Sequence, residues 1–281
     1  MTVPSASPKA LLESHGLRAK RHFGQNFLCD AQLAARIAEW ATTPAGGTVV
    51  EIGAGLGALT RPLLDRAALV LAVERDRDLV AALRLELAEP VSQRRLVLVE
   101  ADAKSVDWTG LFRDTPCPRV LAGNLPYQIT GPLLEKTASS RPLLHRAVLM
   151  VQLEVADRLA ARPGSASYGA LSVFIQAQYA TRRALVIRRG AFYPQPKVDS
   201  AVVLLDPLAH PIAEETAAFR NVVKAAFAQR RKKLRNAWSG LLAGSRDDLA
   251  TAAQRAGIDL NARGESLTVE QFASMAREVH A

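Results

Sequence analysis

Short apolar segments alternate with stretches of helical periodicity over roughly the first 200 residues of the chain. The apolar segments are nearly continuous rather than alternating with polar residues, as in strands that are covered on both faces. Five such strands are predicted, at 48–52, 68–73, 95–99, 119–122 and 147–151. Strands that alternate with helices in this way form a mostly parallel sheet flanked by helices, so the sequence predicts an α/β fold.

Two later β-branched segments, residues 183–187 and 200–205, have no long helix between them. They predict an antiparallel end to the sheet, because a loop as short as 188–199 does not hold the helical crossover that a parallel connection needs. A helix predicted at 153–162 is ended by Pro163-Gly164.

A linker bracketed by Pro207 and Pro211 is the clearest domain boundary in the sequence. Beyond it the periodicity is helical throughout, through a basic run, and it predicts helices at 214–227, at 246–256 and from Thr268. The spacing from Thr268 to Gln271 fits a capping box. The sequence therefore predicts two domains, an α/β domain at 1–207 that carries an N-terminal arm and a small helical domain at 212–281.

Apolar residues make up 49% of the 281-residue chain and charged residues 22%, an ordinary globular composition. Cys29 and Cys117 are too few for a disulfide framework or a cysteine-based zinc site, which favours a reducing compartment, and we expect the cytoplasm. The five histidines are scattered without ligand spacing, so no metal site is expected. Neither a secretory h-region nor a run of about 18 apolar residues is present, so neither secretion nor membrane insertion is expected.

The net charge of +9 is unevenly distributed along the chain. The middle of the chain is neutral, whereas the N-terminal arm, residues 176–205 and the C-terminal part carry the excess. The densest cluster consists of Arg230, Arg231, Lys232, Lys233 and Arg235. Such clustering is typical of proteins that bind phosphate backbones, and a solvated helix face is the alternative.

A glycine-rich turn follows the first predicted strand. Gly53 and Gly55 allow a tight turn and a close approach of the backbone to a ligand. Glu74 ends the next strand, where its carboxylate can accept hydrogen bonds from both hydroxyls of a ribose. In a doubly wound sheet both features lie at the carboxyl ends of adjacent strands, where ligands bind.

Two cofactors and one structural role fit this turn. A dinucleotide site usually shows the spacing G-x-G-x-x-G, with the pyrophosphate on a helix N-terminus. Here the spacing is G-x-G-x-G, preceded by Glu51, which resembles the first motif of S-adenosylmethionine-dependent methyltransferases. Asp102 follows the third strand and adds an acceptor for an adenine amino group, although it also fits a solvated acid. A purely structural turn is the third possibility.

The segment Asn124-Leu125-Pro126-Tyr127 follows the fourth strand. The exocyclic amine of adenine is a poor nucleophile, because its lone pair is delocalised into the ring. If the side-chain oxygen of Asn124 and the carbonyl of Leu125 accept its N–H bonds, the lone pair can localise towards an electrophilic methyl group. Pro126 stiffens the turn, and the Tyr127 ring can stack on a flipped-out base. The alternative is a turn that closes a strand, with the tyrosine in the core.

Together these motifs resemble the bacterial small-subunit ribosomal RNA adenine N6,N6-dimethyltransferase family. The matching segments, in chain order, are 20–28, 51–57, 100–103, 123–127, 168–173, 192–200 and 227–235. The resemblance implies a Rossmann-like S-adenosylmethionine-dependent methyltransferase sheet with a small C-terminal helical domain. It further implies dimethylation of two adjacent adenosines near the 3′ end of 16S ribosomal RNA in the assembling small subunit.

The resemblance also implies roles for individual residues. The residues that it places against S-adenosylmethionine are Asn26, Leu28, Gly53, Gly55, Glu74, Asp102 and Asn124. Catalysis would fall to the Asn124–Tyr127 segment, with Phe192 packed on the target base opposite Tyr127, and the basic cluster would bind RNA. Two departures from the family pattern are Ala54, where proline is common, and Gln128, where asparagine or serine is usual.

Three rival functions remain open at this point. Enzymes that dimethylate 23S ribosomal RNA share the fold and many motifs, although the 192–198 segment resembles the small-subunit group more closely. A ribosome-assembly or transcription factor that binds nucleic acid and has lost catalysis is the second rival. A dinucleotide oxidoreductase would use the glycine turn differently. We expect a monomer.

Overall fold

The computed structural model describes residues 7–241 and 246–280. The strands in these ranges are β1 (Phe27–Leu28), β2 (Thr48–Ile52), β3 (Leu69–Glu74), β4 (Leu96–Glu100), β5 (Arg119–Asn124), β6 (Arg146–Gln152), β7 (Tyr179–Ile187), β8 (Phe192–Tyr193) and β9 (Ser200–Pro207). The helices are α1 (Pro8–Ser14), α2 (Ala31–Ala41), α3 (Thr60–Leu64), α4 (Arg77–Glu86), α5 (Ala88–Ser92), α6 (Trp108–Phe112), α7 (Thr130–Ser139), α8 (Leu153–Leu159), α9 (Ala170–Gln176), α10 (Ala217–Ala228), α11 (Leu234–Ala237), α12 (Arg246–Arg255) and α13 (Val269–His280).

Seven strands form one sheet in the order β4-β3-β2-β5-β6-β9-β7. The strands from β4 to β6 in this order are parallel, and β9 runs antiparallel to β6. The predicted α/β fold with an antiparallel end is therefore confirmed. The predicted boundaries are less accurate: β7 begins at Tyr179 rather than at residue 183, and the helix predicted at 153–162 ends at Leu159.

The parallel register brings the carboxyl ends of the central strands to one edge of the sheet. Ile52 is paired with Val73 on one side and with Gly123 on the other, and Glu74 is paired with Glu100. The glycine turn, Glu74 and Asn124 therefore meet at this edge, although they are far apart in the sequence.

The core forms because strands and helices bury apolar faces against each other. All five residues of β2 are buried. Helix α2 begins at Asp30, whose side chain accepts from the amides of Gln32 and Leu33, a common N-cap. Its apolar residues recur with helical spacing and pack on the sheet; they are Ala34, Ile37, Ala38 and Ala41. Full burial of one such isoleucine contributes about 1.5–3 kcal/mol.

A two-stranded ribbon that the sequence analysis did not predict joins the N-terminal arm to the 188–199 loop. Strand β1 pairs with β8 in antiparallel register, with Phe27 opposite Tyr193 and Leu28 opposite Phe192. Leu28 and Phe192 are both buried in the core of the sheet. Two-residue strands have no detectable period, so only the tertiary structure reveals this pairing.

The chain divides into two compact units. One holds the residues up to Ala156 together with Arg182–Pro207, and the other holds Asp157–Thr181 and the residues from Leu208 onwards. The predicted boundary after residue 207 coincides with one of the crossings. Residues 157–181 belong with the C-terminal helices, where the rings of Phe174 and Phe219 lie 6.0 Å apart. The sequence does not reveal this arrangement, because residues 157–181 lie between strands of the sheet in the chain.

Within the second unit, the basic run departs from the predicted helix. Residues 230–233 form a turn between α10 and α11, and no helix runs through them. The capping box predicted at α13 is confirmed: Gln271 Oε1 accepts from the Thr268 amide at 3.0 Å, and the Gln271 amide donates to Thr268 Oγ1 at 3.3 Å. Within the described ranges, no helix is both long enough and apolar enough to span a bilayer.

Candidate active site

A cavity opens at the carboxyl ends of β2, β3, β4 and β5, within the first compact unit. It has an empty volume of about 1180 Å³, part of which is open to solvent. Its walls come from the arm, the glycine turn, the strand ends and the Asn124–Tyr127 segment. It is large enough for a nucleoside-sized ligand.

The glycine turn forms the floor of the cavity. Gly53 and Gly55 have φ angles of +75° and +58°, a conformation that side chains other than glycine rarely adopt. A Cβ atom on Gly55 would lie only 3.1 Å from the ring of Phe27. The backbone conformation and this close approach therefore both favour glycine at position 55.

Glu74 connects the end of β3 to the glycine turn. Its Oε2 accepts from the Gly55 amide at 2.9 Å, and its Oε1 accepts from the amides of Arg75 and Asp76 at 2.8 and 2.9 Å. Burial raises the pKa of Glu74, and these three hydrogen bonds oppose that rise. A carboxylate fixed in this way can still accept hydrogen bonds from ribose hydroxyls, because its two oxygens offer about four acceptor positions.

Glu51 lies beneath the glycine turn and is 1% exposed. The hydroxyl of Thr60 donates to its Oε2 at 2.6 Å. Burial raises the pKa of Glu51 to about 8, and the nearby Glu74 adds to the rise. Glu51 is therefore mostly protonated at neutral pH, and it places no full charge next to Glu74.

Asp102 begins the loop that follows β4. Its Oδ1 accepts from the amide of Lys104 at 2.9 Å, and its Oδ2 lies 3.4 Å from Nη1 of Arg75. The loop is held from the other side by Lys136 on α7, whose Nζ donates to the carbonyls of Ala103, Lys104 and Val106. Helix α7 begins three residues after Tyr127, so Lys136 connects the helix that follows this segment to the loop of Asp102.

The Lys136 ammonium also lies 4.9 Å from the ring centroid of the buried Trp108, and Trp108 Nε1 donates to the Ala103 carbonyl at 3.1 Å. Burial lowers the pKa of Lys136. Three carbonyl oxygens and an aromatic face thus replace much of the water around this ammonium group.

Asn124 ends β5 and faces the cavity. Its Nδ2 donates to the main-chain oxygen of Asn26 at 2.8 Å, which leaves Oδ1 without a partner among the described residues. The amide of Leu125 donates to the Met150 carbonyl at 3.0 Å and fixes the backbone that follows. The hydroxyls of Tyr127 and Ser200 are 2.7 Å apart, so the Tyr127 ring is held in a defined position at the cavity wall.

The arm is tied to the end of β3 by charged groups. Lys20 Nζ lies 2.6 Å from Asp76 Oδ1, and Gln25 Nε2 donates to Asp76 Oδ2 at 2.8 Å. Burial pulls the pKa of Asp76 upward, but the hydrogen bonds from Lys20 and Gln25 outweigh it and lower that pKa. The centroid of the Phe23 ring lies 5.7 Å from Lys20 Nζ and 5.3 Å from Arg75 Cζ. These contacts hold the arm over the cavity.

The structure brings most of the predicted site residues together. All seven residues expected to hold the cofactor line the cavity, as do the four of the catalytic segment. Phe192 does not: its side chain is 4% exposed and lies in the core. Strand β8 turns Phe192 into the core beside Leu28, and its packing on the target base opposite Tyr127 stays a prediction.

The basic cluster lies in the second unit, and its members differ in their surroundings. Arg230 donates to the carbonyls of Ala166 and Tyr168, and Arg235 is hydrogen-bonded to Asn261. Arg231, Lys232 and Lys233 are exposed. Two of the five predicted RNA-binding residues thus serve contacts within the unit.

Sequence reasoning missed several residues that shape the cavity or its supports. These are Phe23, Gln25, Phe27, Arg75 and Lys136. The first three lie within the segment 20–28, which carried the resemblance, and Arg75 directly follows Glu74. Their closeness in sequence to predicted site residues could therefore have identified all four. Nothing in the sequence marks Lys136. Among the described residues, no cluster of three or more histidine, cysteine or acidic side chains is arranged to bind a metal ion.

A protein family and several known proteins are similar to this chain over nearly its whole length. The family model described as ribosomal RNA adenine dimethylase matches residues 16–281. The chain is 44% identical to ribosomal RNA small subunit methyltransferase A of Anaeromyxobacter sp. (strain K), over 99% of each chain. It is 45% identical to the protein of the same name from Syntrophotalea carbinolica, over 92% of this chain and 96% of that one.

Two solved structures are similar over most of their length. A dimethyladenosine transferase from Plasmodium falciparum has a TM-score of 0.76 at 23% identity, over 89% of this chain and 95% of that one. The 23S rRNA methyltransferase ErmE has a TM-score of 0.67 at 28% identity, over 91% of this chain and all of that one. The first of these similarities concerns the fold alone.

Proposed function

Because the chain belongs to the ribosomal RNA adenine dimethylase family, it is an S-adenosylmethionine-dependent RNA methyltransferase, and we propose that it dimethylates N6 of two adjacent adenosines near the 3′ end of 16S ribosomal RNA. The proposed substrate is the assembling small subunit. The relatives at 44–45% identity carry the small-subunit name, whereas the similar 23S enzyme is only 28% identical. This difference favours the small subunit over the large one.

The residues of the cavity fit S-adenosylmethionine. The glycine turn leaves room where a Cβ atom on Gly55 would crowd Phe27. Glu74 would hold the ribose hydroxyls and Asp102 the adenine amino group, with Asn26 and Leu28 of the arm alongside. When bound, S-adenosylmethionine supplies an electrophilic methyl group on a sulfonium centre. The dinucleotide alternative is set aside by the family match.

The observation that carries the proposal is the orientation of Asn124. Its Nδ2 is occupied by the Asn26 carbonyl, so Oδ1 is the atom available to accept an N–H bond from the target amine. The Leu125 carbonyl would accept the second N–H bond. With both protons held by oxygen atoms, the nitrogen lone pair is directed away from the ring and towards the methyl group. Catalysis is then mainly positioning.

Tyr127 would hold the extruded adenine by stacking, with its hydroxyl anchored on Ser200. Burial and the loss of competing water strengthen the two hydrogen bonds to the amine. Phe192 would act from within the core by packing beside Leu28, which lines the cavity. The exposed Arg231, Lys232 and Lys233 would contact RNA phosphates.

The test is transfer of labelled methyl groups to undermethylated small subunits, followed by mapping of the modified nucleotides. The proposal expects label at two adjacent adenosines near the 3′ end of 16S RNA. Label on the large subunit would replace it with the 23S function. If Asn124→Ala abolished transfer but left every growth phenotype intact, an assembly role would be the better description.

The ribosomal substrate places the protein in the cytoplasm in this proposal, and we propose that it acts as a monomer. Sedimentation of the purified chain, alone and with small subunits, tests the monomer: a dimer that persists at micromolar concentration would contradict it.

A further inference from the structure

The 188–199 loop carries an exposed aromatic side chain that the proposed reaction does not use. Tyr193 is 36% exposed and Val198 is 45% exposed, two of the few large apolar residues that reach solvent in the described part of the chain. Scattered exposed apolar residues are common, but two of them on one short loop beside a cavity mark an interaction surface.

The loop is held by hydrogen bonds to the arm, to the first residue of α8 and, through the next residue, to Tyr127. The Ala191 carbonyl accepts from the amide of Cys29 at 2.8 Å, and the Asp199 carbonyl accepts from the amide of Leu153 at 3.0 Å. Ser200, which follows the loop directly, is hydrogen-bonded to Tyr127. Pro194 and Pro196 further restrict the backbone. A ligand that binds this loop is therefore held at a defined place relative to Tyr127.

The strand pairing shows which way Tyr193 points. Directly opposed residues of an antiparallel pair lie on the same face, with Cβ atoms about 4.5–5.5 Å apart. Leu28 and Phe192 occupy the face turned to the core, so Phe27 and Tyr193 occupy the other. Phe27 lines the cavity and packs against Gly55. Tyr193 thus lies next to a cavity wall with its ring accessible.

Two basic residues flank Tyr193 in the sequence, Arg189 four residues before it and Lys197 four residues after it. Arg188 is paired with Asp199, with Nη1 2.9 Å from Oδ2. Arg189 and Lys197 are both exposed; the Arg189 amide donates to Asp199 Oδ1 at 2.9 Å, and Asp199 forms its ion pair with Arg188. An exposed aromatic ring on a basic loop is a common arrangement for binding a single nucleic-acid strand, whose bases stack while its phosphates meet the positive charges.

We propose that Tyr193 stacks on the unpaired nucleotide next to the target adenosine, while Arg189 and Lys197 contact its phosphates. This inference rests on the proposed function and assigns the 188–199 loop to the flanking strand. A base that is flipped out leaves its neighbour partly unstacked, and an aromatic platform offsets that loss. Tyr193 is then a residue that binds substrate and governs RNA affinity, while the reacting atoms lie elsewhere.

The experiment compares Tyr193→Ala, Tyr193→Phe and the control Leu85→Ala in the full chain. Leu85 is 72% exposed and lies on α4, outside the cavity and the loop. For each variant we measure the Kd for undermethylated small subunits, the Kd for a protein-free single-stranded RNA of the 3′-terminal sequence, the Kd for S-adenosylmethionine and the kcat.

Tyr193→Ala is expected to weaken both RNA affinities by about 5- to 100-fold, the usual effect of losing one stacked base. Its affinity for S-adenosylmethionine and its kcat at saturating RNA remain those of the wild type. Tyr193→Phe keeps the ring and binds as the wild type does, and so does Leu85→Ala. Replacing Arg189 and Lys197 with glutamine lowers the salt slope of binding by about 1.4 for two single-strand phosphate contacts.

Three results would overturn the inference. Unchanged RNA affinity in Tyr193→Ala would remove the stacking role. A defect in Tyr193→Phe as large as that in Tyr193→Ala would assign the effect to the hydroxyl. A defect with small subunits but not with protein-free RNA would assign the surface to a ribosomal protein. The proposed function fails separately, if the wild-type enzyme does not methylate the small subunit.

Discussion

Nδ2 of Asn124 donates to the main-chain oxygen of Asn26, 2.8 Å away. This hydrogen bond joins the segment proposed for catalysis to the arm over the cavity, and it determines which end of the Asn124 amide is available to a substrate. Because the acceptor is a main-chain atom, the orientation of Asn124 depends on the path of the arm.

Asn124→Ala is expected to reduce kcat by about 100- to 1000-fold, as found when one preorganised hydrogen-bonding group is removed from an active site. Asn26→Ala is the matched control, since it keeps the carbonyl that orients Asn124. It should raise the KM for S-adenosylmethionine and leave kcat nearly unchanged. Steady-state methyl transfer measures both. Equal losses of kcat in the two variants would contradict the assignment.

Glu74→Gln is expected to weaken S-adenosylmethionine binding by about tenfold, in line with the loss of a charge-assisted hydrogen bond. The amide has only one acceptor oxygen for the Gly55, Arg75 and Asp76 amides and the ribose. Calorimetric titration gives the affinity. Glu100→Gln is the control, because Glu100 is an exposed acid at the end of the neighbouring strand. A similar loss in both variants would point to a general charge effect.

The buried Glu51 predicts a dependence of stability on pH. Burial raises its pKa from the ordinary 4.5 to about 8, so the folded state holds a proton that the unfolded chain releases near pH 4.5. The contribution of Glu51 to stability is fully present below about pH 4.5 and is lost as the pH rises towards about 8. Glu51→Gln stays neutral and accepts from Thr60, so it should flatten this decline. Urea unfolding at several pH values measures the free energy of unfolding, and Glu39→Gln at an exposed position is the control. If Glu51→Gln lost stability with rising pH as steeply as the wild type, the assignment to Glu51 would be refuted.

Lys136→Met should raise the KM for S-adenosylmethionine more than the KM for small subunits, because it frees the loop of Asp102 from α7. Methionine keeps an unbranched apolar stem beside Trp108 but donates no hydrogen bonds. Lys104→Met, on the same loop, keeps the three hydrogen bonds of Lys136 and loses only an exposed ion pair with Asp102 at 3.9 Å, so its effect should be smaller. If the two KM values in Lys136→Met rose equally, or if neither changed, the positioning role would be excluded.

Arg231, Lys232 and Lys233 should contribute to RNA binding, whereas Arg230 should contribute to folding. Replacing the first three with glutamine is expected to lower the salt slope of small-subunit binding by about 2 to 3, with unchanged thermal stability. Arg230→Gln should lower the melting temperature instead, because it loses its hydrogen bonds to the Ala166 and Tyr168 carbonyls. If the dependence of binding affinity on salt concentration were unchanged in the triple variant, these residues would form only a solvated turn with no RNA contact.

Local sequence patterns were enough to predict the strands of the sheet and the polar residues at the carboxyl ends of these strands. The strand at 48–52 was predicted with its observed bounds, and Gly53, Glu74 and Asn124 were predicted to lie at strand ends. Such features are encoded over a few residues, because strand burial, glycine turns and capping depend on neighbours in the chain. The capping box of Thr268 and Gln271 belongs to the same class.

The tertiary structure alone decided which distant residues meet. The β1–β8 ribbon, the three carbonyls at Lys136 and the inward position of Phe192 join residues that are far apart in the chain. The basic run was predicted to be helical, but residues 230–233 form a turn, because the helical pattern does not reveal that Arg230 donates to the Ala166 and Tyr168 carbonyls. Long-range contacts depend on the packing of the whole chain, and periodicity carries no information about them.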